Sequence, residues 1–401
     1  MRILMITDVY FPRINGVSTS IRTFIVELEK QGHHVTLIAP RYNVDDDADY
    51  EPGTVIRIPS RRVPFDPEDR LMKRRLIDLH FRHLGMQRFD VLHIHTPFVA
   101  HYAGIRLARR LGIPVVETFH THFEEYLFHY LRFLPRFGLR WAARRFTRTQ
   151  SMAVDAMVVP STLMEKVLIA YDVDRPLHVI PTGLDKSRFE GGDGDQFRIR
   201  NDITLNRPVL CHVGRSAYEK NIDFLLDVLI LVKNKLPDIL LVLAGEGPAR
   251  AHLETRSVSL GLADNVKFVD YLDRDTELKD CYRSGDVFVF ASRTETQGLV
   301  LLEAMALGVP VVSTAVLGTV DILQYEKGAL VADDELEDFA SKVVRLLEDE
   351  GLRRQKSVEA VEYAHTWSAE EMNQRMLDLY VQVMQYRAAG SRPMVQLREN
   401  I

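Results

Sequence analysis

Two cysteines in 401 residues, Cys211 and Cys281, supply neither a disulfide framework nor a zinc-ligand spacing. No apolar run reaches the length that crosses a bilayer, and the opening MRILMITDVYFPRING holds no separate apolar core followed by a cleavage site. The expectation is a reduced, cytoplasmic protein. The first strand-to-helix turn lacks G-x-G-x-x-G, so the dinucleotide fingerprint is missing. What is present is globular in kind: 46% hydrophobic and 27% charged residues, enough chain for two or three domains and two cores. The net charge of −5 conceals an asymmetry. Residues 1–180 hold 25 Lys and Arg against 20 Asp and Glu, with 11 of the 14 histidines, so the second half is the acidic one. Different surfaces are expected to meet different partners.

The stretch 291–312, ASRTETQGLVLLEAMALGVPVV, organises the chain. It follows an apolar strand, Val287-Phe288-Val289-Phe290, and runs through a polar loop to Gly298. A helical run rich in Leu, Ala and Met comes next, then a Gly-Val-Pro turn into a further strand. Glu295 lies in the loop and Glu303 two turns into the helix, where it is expected at the edge of a pocket. The helix start at Gly298 and Leu299 offers unpaired N–H groups and partial positive charge to a phosphate. Carboxylates for hydroxyls beside a helix start for phosphates suit a nucleotide-sugar. Two acids at this spacing are uninformative alone; an amphipathic surface helix would also carry them.

With its flanking strands and glycine, this E-x7-E stretch resembles the signature of the retaining family 4 glycosyltransferases of the GT-B fold. The resemblance covers almost the whole chain and is strongest from Val209 to Thr314. It implies an α/β protein: two doubly wound, Rossmann-like domains facing a central cleft, with a C-terminal helix returning to the N-terminal domain. The expected domains are 1–184 for the acceptor, joined by 369–388, a linker at 185–206, a nucleotide-sugar domain at 207–368 and a tail at 389–401.

Taken in order, Arg2–Thr7 reads as a strand. A loop to Gly16 and the helix Val17–Lys30 complete the start of a βαβ unit. Gly16 is either turn chemistry or a place where backbone lets a donor approach closely. Asp45–Asp49 reads as a solvated loop. Two His-x-His pairs, His93/His95 and His120/His122, end parallel strands. Side chains at i and i+2 share a face, so a four-histidine metal site is conceivable. The preferred reading uses His120 alone, because ligands bind at the carboxyl ends of parallel strands. The resemblance implies that it contacts the donor sugar, and FHTHFEEY is similar to family members that glycosylate lipids.

Leu131–Thr149 holds six arginines and no acid. Arg132, Arg136, Arg140, Arg144 and Arg148 step by four, with Phe133, Phe137 and Trp141 alongside. On a helix this gives an arginine ridge beside an aromatic ridge, the composition of an interfacial helix on an anionic membrane. A helix packed by its aromatics would share the pattern. The chain offers no nucleic-acid module. A second basic cluster, Arg61, Arg62, Arg70 and Lys73–Arg75, agrees with the membrane reading.

In the second half, strand Val209–Val213 leads into Gly214-Arg215-Ser216-Ala217-Tyr218-Glu219-Lys220, which matches the family's G-R-x-x-x-E-K pattern. Arg215 and Lys220 would neutralise a departing diphosphate. The turn at Gly245-Glu246-Gly247 lets a nucleobase or ribose lie close to the backbone, and the resemblance implies that the strand exit at Tyr271 grips the base. The resemblance implies Arg215 and Lys220 on the diphosphate, Glu303 on ribose, and Glu295 on the sugar. His120, Arg215, Lys220 and Glu295 form the expected catalytic set. No tightly bound cofactor and no essential metal are expected. The donor would be a UDP-sugar in preference to a GDP-sugar. The acceptor would be a lipid such as diacylglycerol, or a glycan, at the inner face of a membrane. A nucleotide-sugar 2-epimerase is the alternative of another class.

Overall fold

A computed structural model describes residues 1–42, 53–63, 66–84, 88–120, 136–270, 272–273 and 276–390. The chain divides into two units, Met1–Gly183 with the segment from Ala369, and Leu184–Ser368.

Among the described residues, the first unit holds eight strands: β1 (Arg2–Ile6), β2 (His34–Arg41), β3 (Thr54–Val63), β4 (Asp66–Met72), β5 (Val91–Ile94), β6 (Val115–Thr118), β7 (Ala156–Val159) and β8 (Leu177–Val179). They lie in the order β4-β3-β2-β1-β5-β6-β7-β8. All pairs are parallel except β3–β4. Ile3 to Ile6 are fully buried, as expected of a parallel strand covered on both faces. The antiparallel β4 was not anticipated; its sequence, DPEDRLM, is charged and offers little β-propensity. It places Arg61, Arg62 and Arg70 on one hairpin, with Arg62 opposite Arg70. The helix Ala369–Ala388 belongs to this unit. Its Met372, Met376, Leu379, Tyr380 and Val383 pack with Ile21, Phe24 and Ile25 of the helix Gly16–Lys30 and with β1.

The second unit holds six strands: β9 (Val209–Val213), β10 (Leu240–Ala244), β11 (Val266–Val269), β12 (Val287–Phe290), β13 (Val311–Thr314) and β14 (Ala329–Ala332). Their order is β11-β10-β9-β12-β13-β14, parallel throughout. The chain winds outward from β9 in one direction and then from β12 in the other. This is the doubly wound arrangement, and its switch point lies between β9 and β12.

The stretch 185–206, expected as a linker, is instead built into the second unit. Phe197 joins its core, and buried Arg198 donates to the Ser284 carbonyl and to Asp286. Gly194 lies so close to the Arg283 carbonyl that a Cβ would stand 2.2 Å from it. The Gly/Asp composition here serves close packing and a helix start, since Asp193 caps the helix Gly194–Arg200.

Candidate active site

The second sheet's switch point gathers most of the residues singled out from the sequence. β9 ends at Val213, and the loop from Gly214 leads to a single 3-10 turn, Tyr218–Lys220. Asn221 follows in the left-handed region (φ 56°) and its side chain donates to the Ala291 carbonyl beyond β12, at 3.2 Å. That bond ties the two loops of the switch point together. Lys220 Nζ donates to Glu295 Oε1 in a tight ion pair, with both side chains half-buried. Burial by itself raises the Glu295 carboxyl, but the charge and hydrogen bond of Lys220 outweigh it and hold the group below its ordinary value. Arg215 lies on the same loop, with Nη1 3.9 Å from Glu219.

The glycines of this rim have packing roles. A Cβ on Gly245 (φ 128°) would stand 2.2 Å from the Gly214 carbonyl, and one on Gly247 2.4 Å from the Ser216 carbonyl. The close approach expected at the Gly245 turn is thus made by the neighbouring loop of the protein. Ser216 completes the join, donating its hydroxyl to the Gly245 carbonyl at 2.7 Å. Gly298 (φ 94°) begins the helix Leu299–Ala306 in a conformation that favours glycine. Gly318 donates its N–H to the Glu295 carbonyl at 2.9 Å, and a Cβ there would meet the Thr296 carbonyl at 2.0 Å.

Glu303 is 4% exposed, and one of its oxygens accepts the Tyr282 hydroxyl at 2.7 Å. Five of its seven companions in the helix Leu299–Ala306 are buried too, so this helix runs into the core. Tyr271 lies outside the described residues.

In the first unit, His120 follows β6 and is half-buried; its Nε2 is 3.2 Å from His95 Nδ1. Burial depresses its pKa to about 4, so the ring is neutral. Gly16 opens its helix at an exposed position with no atom near a would-be Cβ. Asn15 and Ser18 close a reciprocal capping box around it. Among the described residues, no three His, Cys, Asp or Glu are arranged to hold a metal ion, and His122 lies outside them.

Of the basic ridge, Arg132 and Phe133 fall outside the described residues, and so does the side chain of Arg136. The helix Arg136–Ser151 buries Leu139, Ala143, Thr147 and Gln150. Arg140, Arg144 and Arg148 are exposed, as are Phe137 at 83% and Trp141 at 62%. The aromatics therefore do not pack the helix down. Among the described residues, no helix is long and apolar enough to cross a membrane.

Three residues of the site escaped the sequence. His212, inside an apolar strand, lies 1% exposed and donates its Nδ1–H to the Val289 carbonyl at 3.1 Å; burial is the main cause holding its pKa near 4. Tyr282 and Gly318 had no motif to mark them. Only the regularity of β9 could have drawn attention to a histidine at its inward register.

Residues 14–188 match the family described as Glycosyltransferase Family 4, and residues 193–365 the family described as Glycosyl transferases group 1. The chain is 35% identical over 323 residues to the alpha-monoglucosyldiacylglycerol synthase of Streptococcus pneumoniae, covering 78% of this chain and 71% of that one. It is 30% identical over 342 residues to a GDP-mannose-dependent alpha-mannosyltransferase of Mycolicibacterium smegmatis, covering 83% and 84% respectively. Among solved structures, the sucrose-phosphate synthase of Thermosynechococcus elongatus matches with a TM-score of 0.79 at 19% identity, over 96% of this chain and 100% of that one.

Proposed function

We propose that this chain, which belongs to the family 4 and group 1 glycosyl transferases of the GT-B fold, moves a hexose from a UDP-sugar to a membrane lipid such as diacylglycerol, with retention at the anomeric carbon. The single observation that carries the reading is the Lys220–Glu295 pair at the switch point of the second sheet.

Without substrate the two charges satisfy each other. A diphosphate competes for Lys220, with Arg215 on the same loop and the helix start at Gly298 and Leu299 adding positive potential. Glu295, released from its partner, then accepts hydroxyls of the hexose. Glu303, held by Tyr282, would take the ribose, with Gly214, Gly245 and Tyr271 beside the nucleotide. His120 and the Gly16 loop would serve the sugar and acceptor from the first unit. In the transfer, the bond from the anomeric carbon to the β-phosphate oxygen breaks. The acceptor hydroxyl oxygen bonds to that carbon on the same face, and its proton passes to the departing phosphate oxygen. Arg215 and Lys220 stabilise the charge gathering there, a task that other sites give to a metal.

The lipid acceptor is supported by the diacylglycerol-named relative and by the exposed Arg136–Ser151 helix, whose face fits an anionic membrane surface. The GDP-mannose-dependent relative favours a second reading, mannosyl transfer from a GDP-sugar. Incubation with UDP-, GDP- and ADP-sugars and total lipid, followed by chromatography of the lipids, separates the two. Transfer of glucose from the UDP-sugar to a neutral lipid is expected. Nucleotide release with no acceptor product from any donor would refute the proposal.

A further inference from the structure

Three histidines stand at the carboxyl ends of adjacent strands in the first unit. His93 is held at both nitrogens, by the Tyr380 hydroxyl at 2.6 Å and the Thr118 hydroxyl at 2.7 Å. Its ring lies against that of His95, with centroids 4.0 Å apart. His95 is 1% exposed and uses Nδ1 toward His120 Nε2. His95 Nε2 is buried with no partner among the described residues. His120 in turn lines a small cavity with Glu117, Thr118, Thr147 and Gln150.

This geometry decides where the protons sit. Both rings are neutral, because burial depresses both pKa values. A neutral imidazole has one N–H and one lone pair, so the bond between His95 and His120 can run in only two directions. If His120 donated, His95 would carry its proton on Nε2, where a buried N–H would find no acceptor. Leaving a buried donor unmet is the costlier error; an unmet lone pair is better tolerated. The bond therefore runs from His95 Nδ1–H to His120 Nε2, and the remaining proton of His120 is on Nδ1.

We propose that His95 is a positioning residue that locks His120 in the Nδ1–H tautomer, so that His120 offers an N–H donor, not a lone pair, to an oxygen of the substrate. His93, clamped between Tyr380 and Thr118, backs His95 and fixes its ring plane. The proposal rests on the reading above that His120 contacts the sugar.

Long-range proton–nitrogen correlation spectra of the full 15N-labelled chain near neutral pH read the tautomers directly. Both His95 and His120 should be protonated at Nδ1, with Nε2 bare; a proton on His120 Nε2 would overturn the assignment. Kinetics supply the second arm. In His95→Asn the amide N–H takes the place of Nδ1–H, and the donor KM should stay within about threefold of the parent. His95→Gln and His95→Leu lose that donor, and KM should rise about tenfold with kcat altered less. Equal values for all three variants, beside a clear defect in His120→Ala, would overturn the positioning role alone. An unchanged donor KM in His120→Ala would instead overturn the substrate contact itself.

Discussion

At the Lys220–Glu295 pair, removing one partner does two things at once. On the function proposed above it strips the diphosphate or the sugar of its counterpart, and it leaves an opposite charge half-buried without compensation. Lys220→Ala and Glu295→Ala should each cut turnover by about a hundredfold or more while leaving the circular dichroism spectrum intact. Near-normal nucleotide release by either variant would remove its assigned role. Gly318 acts on the same group through the backbone. In Gly318→Ala a Cβ would have to displace the Thr296 carbonyl, and the loop carrying Glu295 would move with it. A loss of about 1–3 kcal/mol in stability is expected, with a raised donor KM. Thermal melts and initial rates check both, and an unchanged KM would show that Glu295 does not depend on this support. Motif residues were legible because Arg215, Lys220 and Glu295 sit on loops, where charge is conspicuous and spacing is short. Gly318, Tyr282 and His212 act across the fold from stretches with no local pattern, so only three dimensions reveal them.

At the scale of elements, the helix Arg136–Ser151 sets a testable division of labour. Leu139 and Ala143 hold it down, which leaves Phe137 and Trp141 outward beside Arg140, Arg144 and Arg148. The protein should float with vesicles rich in anionic lipid at low salt and release as salt rises. Trp141→Glu with Arg144→Glu should abolish flotation while leaving release of nucleotide to water unchanged. Equal flotation of parent and double variant would move the membrane contact elsewhere. The strands were the easiest to anticipate, since β12 is an unbroken apolar run, β1 is one from Ile3 onward and β9 is one but for His212, and such runs suit burial on both faces. β4 was missed because its charged sequence follows no strand pattern; pairing with β3 rather than propensity creates it. The supposed linker failed for the opposite reason. Its Gly/Asp-rich composition matches an exposed linker, yet Gly194 is there because Arg283 leaves no room for more.

For the molecule as a whole, acid should dismantle the two units unevenly. His93 and His95 in the first unit and His212 in the second are buried, His120 is half-buried, and all four are neutral, with folded pKa values of about 3 for His93, about 4 for His120 and His212, and well below 6.5 for His95. Unfolding restores their ordinary value of 6.5, so the unfolded chain binds more protons in acid. Their stabilisation is complete above about pH 6.5 and is lost as pH falls toward about 4, by ~1.4 kcal/mol per histidine per pH unit. Glu295, with its lowered pKa, adds its loss in the second unit only below about 4.5. Amide exchange across pH 7 to 4 should show protection failing first in residues 1–183. Simultaneous loss in both units would contradict this ordering.

The helix Ala369–Ala388 also gives the chain a history. Its Tyr380 is the hydroxyl that holds His93, yet it emerges from the ribosome after all of Leu184–Ser368 has been made. The second unit is continuous in sequence and can settle during synthesis, whereas the first must wait for the segment from Ala369 to arrive. A premature stop before residue 369 would therefore spoil the first unit, and leave the second whole.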